Sequence, residues 1–160
     1  MNERLKKIAM LREKVEEKAT REKFLMLCPS IKNFEVVSGD KIASVVEFLI
    51  HKTPTPVKVT SKSDTEQAIN EIKEFECELT SLLSKKIIVW YAHENWDFGV
   101  QLELEDFMLY TQEVLHFIGY DDAQRGLIDS SLIVVDESMR SGFTFLKNEY
   151  DLEIVLWKEG

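Results

Sequence analysis

The stretch KIIVWYAHENWDFGVQLELE, residues 86–105, contains two neighbouring segments with different hydrophobic patterns. Lys86 to Ala92 is a nearly continuous apolar run rich in β-branched and aromatic residues, which predicts a central strand buried on both faces. From Val100 to Glu105 apolar and polar residues alternate, which is the period of a strand with one face in water. The polar loop between them, around His93 to Asp97, favours a hairpin.

Three further strands are predicted on the C-terminal side, at Leu132 to Val135, Phe143 to Leu146 and Leu152 to Trp157, with turn residues between them. Asp106 to Ile118 has helical periodicity, and Gly119 follows where a left-handed C-cap is favoured. These elements predict a mostly antiparallel sheet of about five strands, interrupted by one helix.

Helices dominate the N-terminal half. Charged residues and helically spaced apolar residues predict a helix over 2–26, and a second helix is expected to begin at Asp40. A capping box at Ser63 and Glu66 opens a helical pattern that predicts a helix over 64–84.

Two short segments in this half have strand composition. Phe34 to Val37 can form a short strand, and Val57 to Thr60 is at best a short edge strand, because Pro54 and Pro56 lie just before it. The fold class predicted for residues 1–160 is therefore α+β in a single domain, with the helices mainly in the N-terminal half.

The helix at 2–26 has a narrow apolar stripe, close to the seam of a coiled coil. Its members recur at helical spacing: Leu5, Ile8, Leu11, Val15 and Ala19. Two interpretations stay open, an arm that pairs with a second chain and an ordinary surface helix packed on its own domain.

Acidic residues are concentrated in the C-terminal part. Residues 93–160 contain 4 Lys and Arg against 15 Asp and Glu, a net charge of −11, whereas residues 1–92 are close to neutral. Nucleic acid and anionic membranes are disfavoured as partners, because both require clustered cations. The negative electrostatic field of these residues would attract a basic protein. The alternative is that the acidic surface serves only to keep the protein soluble.

Several classes of protein are excluded by composition. The apolar content of 44% disfavours long disorder, and two cysteines disfavour a disulfide scaffold. No segment approaches the 18 or so apolar residues of a membrane span, and the N-terminus does not resemble a secretory signal, so a cytoplasmic location is expected.

No catalytic or metal-binding motif stands out. The three histidines lack partners at i+3 or i+4, and Cys28 and Cys77 are isolated, so no cofactor or metal is predicted. The alternative is a small carboxylate-based enzyme or metal-binding domain. Its candidate residues are Asp121, Asp122, Asp129 and Asp136 with His93 or His116.

Large aromatic residues surround the loop after the central strand, a composition that binding surfaces favour. Trp96 is the side chain expected to be exposed as an anchor or to fold back over the core, with acidic residues around it. The predicted binding residues are His93, Glu94, Trp96, Asp97, Glu103, Asp121 and Asp122.

These features favour a non-enzymatic module that binds a basic protein through an acidic face. A nuclease toxin or another nucleic-acid-binding enzyme is the natural partner, because its cationic cleft would be blocked by an acidic domain, as in bacterial immunity proteins and antitoxins. A third hypothesis is a structural subunit that assembles as a homo- or hetero-oligomer through helix 2–26.

Overall fold

The structure is a computed structural model. It describes residues 2–38, 40–51, 55–62, 65–74, 76–83, 85–92, 98–117, 131–147 and 152–158. Within these ranges the helices are α1 (Glu3–Leu27), α2 (Asp40–His51), α3 (Thr65–Glu74), α4 (Glu76–Leu82), α5 (Leu104–Leu109) and α6 (Thr111–Phe117). The strands are β1 (Phe34–Val37), β2 (Thr55–Lys62), β3 (Lys86–Ala92), β4 (Gly99–Glu103), β5 (Ser131–Asp136), β6 (Ser141–Lys147) and β7 (Leu152–Lys158).

The strands form one sheet in the order β1-β4-β3-β5-β6-β7-β2, and every neighbouring pair is antiparallel. The predicted α+β class is confirmed, as is the antiparallel pairing of β3 with β4. The sheet has seven strands rather than about five, because β1 and β2 from the N-terminal half add to its two edges.

Strand β2 shows how an edge accommodates proline. It is an edge strand as expected, but it is eight residues long and pairs with β7 along its length. The register shifts between Pro56 and Lys58, a local irregularity that lets the chain carry a residue without an N–H group. An ion pair of 3.1 Å between Lys62 and Glu71 links this strand to α3.

Strand β3 is buried on both faces, as the apolar run predicted. Ile87 and Val89 belong to a large core cluster that includes residues of α1, α3, α4, α5 and α6. Ile88 points to the other side, into a smaller cluster that contains Val45 of α2. Helices therefore cover both faces of the sheet, and β3 lies between the two cores.

The prediction that the polar side of β4 faces water is wrong at Gln101, which is only 8% exposed. Gln101 lies between Ile88 of β3 and Glu35 of β1 in the ladder. Because β1 adds to the outside of β4, and α2 covers the sheet face that contains Ile88, the alternating polar position ends up inside the protein.

The chain turns from strand to helix earlier than the pattern predicted. Strand β4 ends at Glu103 and α5 begins at Leu104, whereas the helix was expected to begin at Asp106. The helical segment is divided at Tyr110, whose backbone is not helical (φ −118°, ψ 35°). The Thr111 hydroxyl donates to the carbonyl of Phe107 at 2.6 Å, which satisfies a carbonyl near this break.

Helix α1 matches the predicted range to within one residue. The Asn2 side chain caps its N-terminus by accepting a hydrogen bond from the Arg4 N–H at 2.9 Å. Only the C-terminal end packs into the core, where Phe24 is fully buried and its ring lies 4.3 Å from Phe34 and 4.9 Å from Phe117. Helices α3 and α4 both fall inside the predicted range 64–84.

Gly142 of β6 allows a large side chain to lie against the sheet. It is paired with Trp157 of β7, which is 3% exposed. A Cβ atom at position 142 would lie 2.6 Å from Cζ2 and 2.7 Å from Cη2 of Trp157, and it would overlap the carbonyl oxygen of Val134. Glycine is needed here because the indole and the neighbouring backbone occupy the space of any side chain.

We therefore expect Gly142→Ala to lower the free energy of unfolding by about 1 to 3 kcal/mol, the usual cost of overpacking a core. Urea denaturation followed by tryptophan fluorescence measures the change. Arg140→Ala, in the exposed turn just before β6, is the control and should stay within about 0.5 kcal/mol of the wild type. An unchanged midpoint for Gly142→Ala would contradict the packing described.

The two cysteines provide a test of how α1 is anchored. Cys28, at the end of α1, is buried, whereas Cys77 is exposed. Burial raises the pKa of the Cys28 thiol to about 11, and the charge of Glu113 contributes to the rise. We expect a thiol reagent at pH 8 to modify Cys77 rapidly and Cys28 only after unfolding. Rapid modification of both thiols would show that the end of α1 is not docked.

Candidate functional site

One of the seven predicted binding residues, Glu103, lies within the described residues; His93, Glu94, Trp96, Asp97, Asp121 and Asp122 lie outside them. Glu103 is the last residue of β4 and is paired with Lys86 of β3. Its carboxylate forms an ion pair of 3.6 Å with the ammonium group of Lys85. Glu103 is therefore the predicted binding residue around which the surrounding structure is known.

The corner between β4 and α5 brings three carboxylates together. The Leu104 N–H donates to the carbonyl of Lys85 at 2.7 Å, which holds the first residue of α5 against the segment before β3. Leu104 is buried and Glu105 is exposed, because the helical turn directs them to opposite sides. Glu103, Glu105 and Asp106, called the acidic corner below, are thus held at one end of the sheet.

Burial and like charges raise the pKa of one carboxyl group in the acidic corner, that of Asp106. Its pKa is raised above the ordinary value of 3.8, first by desolvation and then by the negative charges of Glu103 and Glu105. The carboxylates are therefore close enough to repel one another. A cation that approached this corner would relieve the repulsion.

A groove of about 410 Å³ lies beside the acidic corner, between α4 and α5, and is called the α5 groove below. Its apolar part consists of Leu83, Leu104 and Met108, each 6 to 7% exposed. Polar residues complete the lining: Glu76, Thr80, Lys85 and Glu105. The groove thus combines an apolar floor with a polar rim that shares Glu105 with the acidic corner, the anatomy of a protein-binding surface.

A second cleft of about 360 Å³ lies where β1, β4 and β3 meet. It is lined by Lys32, Asn33, Phe34, Glu35, Lys86, Gln101, Leu102 and Glu103. Two lysines and two glutamates balance its charge, so it lacks the electrostatic bias of the acidic corner. Glu103 lies between this cleft and the α5 groove. It lines the cleft, and its carboxylate pairs with Lys85, which lines the groove.

Sequence reasoning missed Glu105, Asp106 and the contribution of α4. The signal was present in the run LELED, residues 102–106, but its alternation resembled the continuation of a strand. Only the turn into α5 places Glu105 and Asp106 beside Glu103. Trp90 of β3 is partly buried and packs against the smaller core cluster.

Comparison with known proteins identifies a family. The model of the YxiF protein family matches residues 40–157, about three quarters of the chain. The chain belongs to the YxiF family. The match includes α2 to α6 and β2 to β7, so the α5 groove and the acidic corner lie within the YxiF region, whereas α1 and β1 precede it. No curated protein and no solved structure matches the chain significantly.

Two residues of the alternative carboxylate site are described in this YxiF-family chain. Asp136 is 2% exposed, and its carboxylate accepts hydrogen bonds from the N–H of Ser138 at 2.6 Å and from the Ser138 hydroxyl. It therefore stabilises the turn between β5 and β6. His116 is exposed on α6, and Asp121, Asp122, Asp129 and His93 lie outside the described residues.

Neither a metal-binding cluster nor a membrane-spanning helix occurs within the described residues. Across these parts of the chain, no three His, Cys, Asp or Glu side chains are grouped so that they could hold a metal ion. The described helices include none that is both long and apolar enough to cross a membrane.

The raised pKa of Asp106 predicts a pH-dependent effect of Asp106→Asn. A carboxyl whose pKa is raised on folding favours the folded state below its unfolded pKa, and this contribution is lost as the pH rises through the folded value. We expect Asp106→Asn to be slightly more stable than the wild type at pH 7, by less than about 1 kcal/mol because the group is partly exposed.

Urea denaturation at pH 7 and at pH 3 measures this difference, which should disappear at the lower pH. Glu47→Gln on α2, an exposed position on the opposite side of the sheet, serves as the control and should show no comparable gain. A loss of stability at pH 7 in Asp106→Asn would contradict the proposed repulsion.

Proposed function

We propose that this protein is a non-enzymatic binding module that engages a basic protein through the α5 groove and the acidic corner. The observation that carries the proposal is an apolar-floored groove whose rim includes the carboxylates of Glu76 and Glu105, next to the mutually repelling carboxylates of the acidic corner. Such a surface fits a partner that presents an apolar side chain flanked by lysine or arginine.

Charge on a larger scale supports the same partner class. Residues 93–160 carry a net charge of −11, and the acidic corner belongs to this part of the chain. A concentrated field of one sign speeds the encounter with a partner of opposite sign and disfavours polyanions. The proposed partner is therefore a basic protein and not a nucleic acid or an anionic membrane.

The proposed role is inhibition of a nuclease toxin or another nucleic-acid-binding enzyme, in the manner of an immunity protein or antitoxin. Such enzymes present cationic clefts to phosphate groups, so a carboxylate-rich surface that occupies the cleft competes directly with the substrate. The inhibitor would act in the cytoplasm, where the nucleic acid that it protects is located. Glu103, Glu105 and Asp106 would face the cationic cleft.

The test begins with capture of basic proteins from a lysate of the native organism by the immobilised full chain at low salt. Glu105→Lys/Asp106→Lys is expected to weaken binding of the captured protein by about ten-fold or more, a loss of about 1.4 kcal/mol. Isothermal titration calorimetry with the purified partner measures this, and a nuclease assay tests whether the chain inhibits it.

The matched control is Glu47→Lys/Glu66→Lys, which changes the net charge equally at exposed positions on α2 and α3. Residue 47 lies on the opposite side of the sheet from the acidic corner, and α3 packs near the β2 edge. This variant should retain most of the affinity. Equal weakening by both variants would show that only net charge matters and would contradict a site at the acidic corner.

A second variant tests the groove without changing any charge. Thr80→Trp, at an exposed lining position of α4, is expected to fill the α5 groove and to abolish binding of the same partner. Its unfolding midpoint should remain close to that of the wild type. Full affinity in a folded Thr80→Trp protein would exclude the groove from the interface.

A further inference from the structure

Helix α1 presents an apolar surface that its own domain does not cover. Four of the exposed large residues of α1 lie along one side of it: Leu5, exposed by 56%, Ile8 by 38%, Leu11 by 63% and Val15 by 69%. Together with Ala19 they form the α1 stripe, which follows the N-terminal two thirds of the helix. An exposed apolar stripe of this length is typical of a protein interface.

The α1 stripe lies on a different side of the helix from the residues that contact the domain. Phe24 and Leu27 pack into the core, and the Glu13 carboxylate accepts a hydrogen bond from the Ser38 hydroxyl at 3.1 Å. At 3.6 residues per turn, the midline of the stripe is about 130° around the helix from these contacts. A second helix can therefore pack along the stripe while α1 stays docked through α6 and β1.

The order of charges in the seam selects the direction of the second helix. Arg12 and Glu22 occupy positions in line with the stripe. In a parallel pair of identical helices, Arg12 would face Arg12 of the second copy and Glu22 would face Glu22, so like charges would lie together. In an antiparallel pair this repulsion is absent.

An antiparallel pair that aligns Ile8 with Ala19 of the second helix produces charge complementarity. In this register Arg12 lies within one residue of Glu16 of the second copy, on the same side of the seam. Arg4 likewise lies within one residue of Glu22 of the second copy. The two-fold symmetry repeats each pair, so four ion pairs between the helices would flank the apolar layers.

We propose that the α1 stripe is the contact surface of an antiparallel homodimer, in which a second copy of this chain supplies the opposing α1 helix. The dimer uses a surface separate from the α5 groove, so it leaves that groove free. Lys7 and Lys18, roughly 80 to 100° from the midline of the stripe, keep their ammonium groups in water at the rim.

Sedimentation velocity of the full chain over a range of concentrations tests the dimer. We expect a monomer–dimer equilibrium in the wild type and a monomer for Val15→Lys at every concentration, because the new ammonium group would face Arg12 of the second copy. Met10→Lys is the matched control, because Met10 is 58% exposed on α1 but lies on the side away from the stripe, and it should dimerise like the wild type.

Both substitutions are at exposed positions, so their melting temperatures should remain close to that of the wild type. A wild-type chain that stays monomeric up to its highest soluble concentration would overturn the proposal. A dimer that persists in Val15→Lys would also overturn it, because its interface would then lie elsewhere.

Charge reversal and cross-linking test the direction of pairing. Glu16→Arg is expected to weaken the dimer, and Arg12→Glu/Glu16→Arg to restore it. In a Cys77→Ser background, a mixture of Ile8→Cys and Ala19→Cys chains should form a disulfide between the two different variants. Disulfides only between identical variants would indicate a parallel pair and would overturn the antiparallel arrangement.

The same Val15→Lys protein separates this proposal from the proposed function. It should bind the captured basic protein with unchanged affinity, because the α5 groove is intact. Loss of binding in this variant would overturn the independence of the two surfaces.

Discussion

The fold depends on the requirement that strand β3 be covered on both faces. Ile87, Ile88 and Val89 are all fully buried, and they point alternately into two core clusters. A sheet with helices on only one side would leave Ile88 in water, at a cost of about 1.5 to 3 kcal/mol for a side chain of this size. The position of α2 on one face, and of the other helices on the opposite face, follows from this constraint.

The acidic corner is a consequence of the same arrangement. Strand β4 pairs with β3 up to Glu103, and the N–H of Leu104 then bonds to the carbonyl of Lys85, just before β3 begins. Burial of Leu104 in the larger core directs the chain into α5 and leaves Glu105 outside. The hydrophobic effect thus holds the carboxylates together against their mutual repulsion, which a cationic partner would relieve.

Sequence reasoning succeeded where a local pattern was sufficient. The apolar run of β3, the helical spacing of α1 and the strand character of residues 34–37 were all readable because each depends on neighbours along the chain. The sequence-based prediction failed at Gln101, because its burial depends on β1 and α2. It also failed at Glu105, because the alternation of apolar and polar residues in β4 continues through Glu105 although the chain is already helical there. Both errors involve contacts between segments distant in sequence. Of the predicted binding residues, Glu103 alone falls within the described part of the chain.

The central claim is that a basic protein binds at the α5 groove and the acidic corner. Hydrogen exchange of the full chain, with and without its captured partner, tests this claim most directly because it maps the contact without any substitution. We expect binding to slow hydrogen exchange in residues 76–83 and 103–109 and to leave the exchange rates of α2 unchanged. Slower exchange confined to α2 or to the β2 edge, with residues 103–109 unaffected, would contradict it.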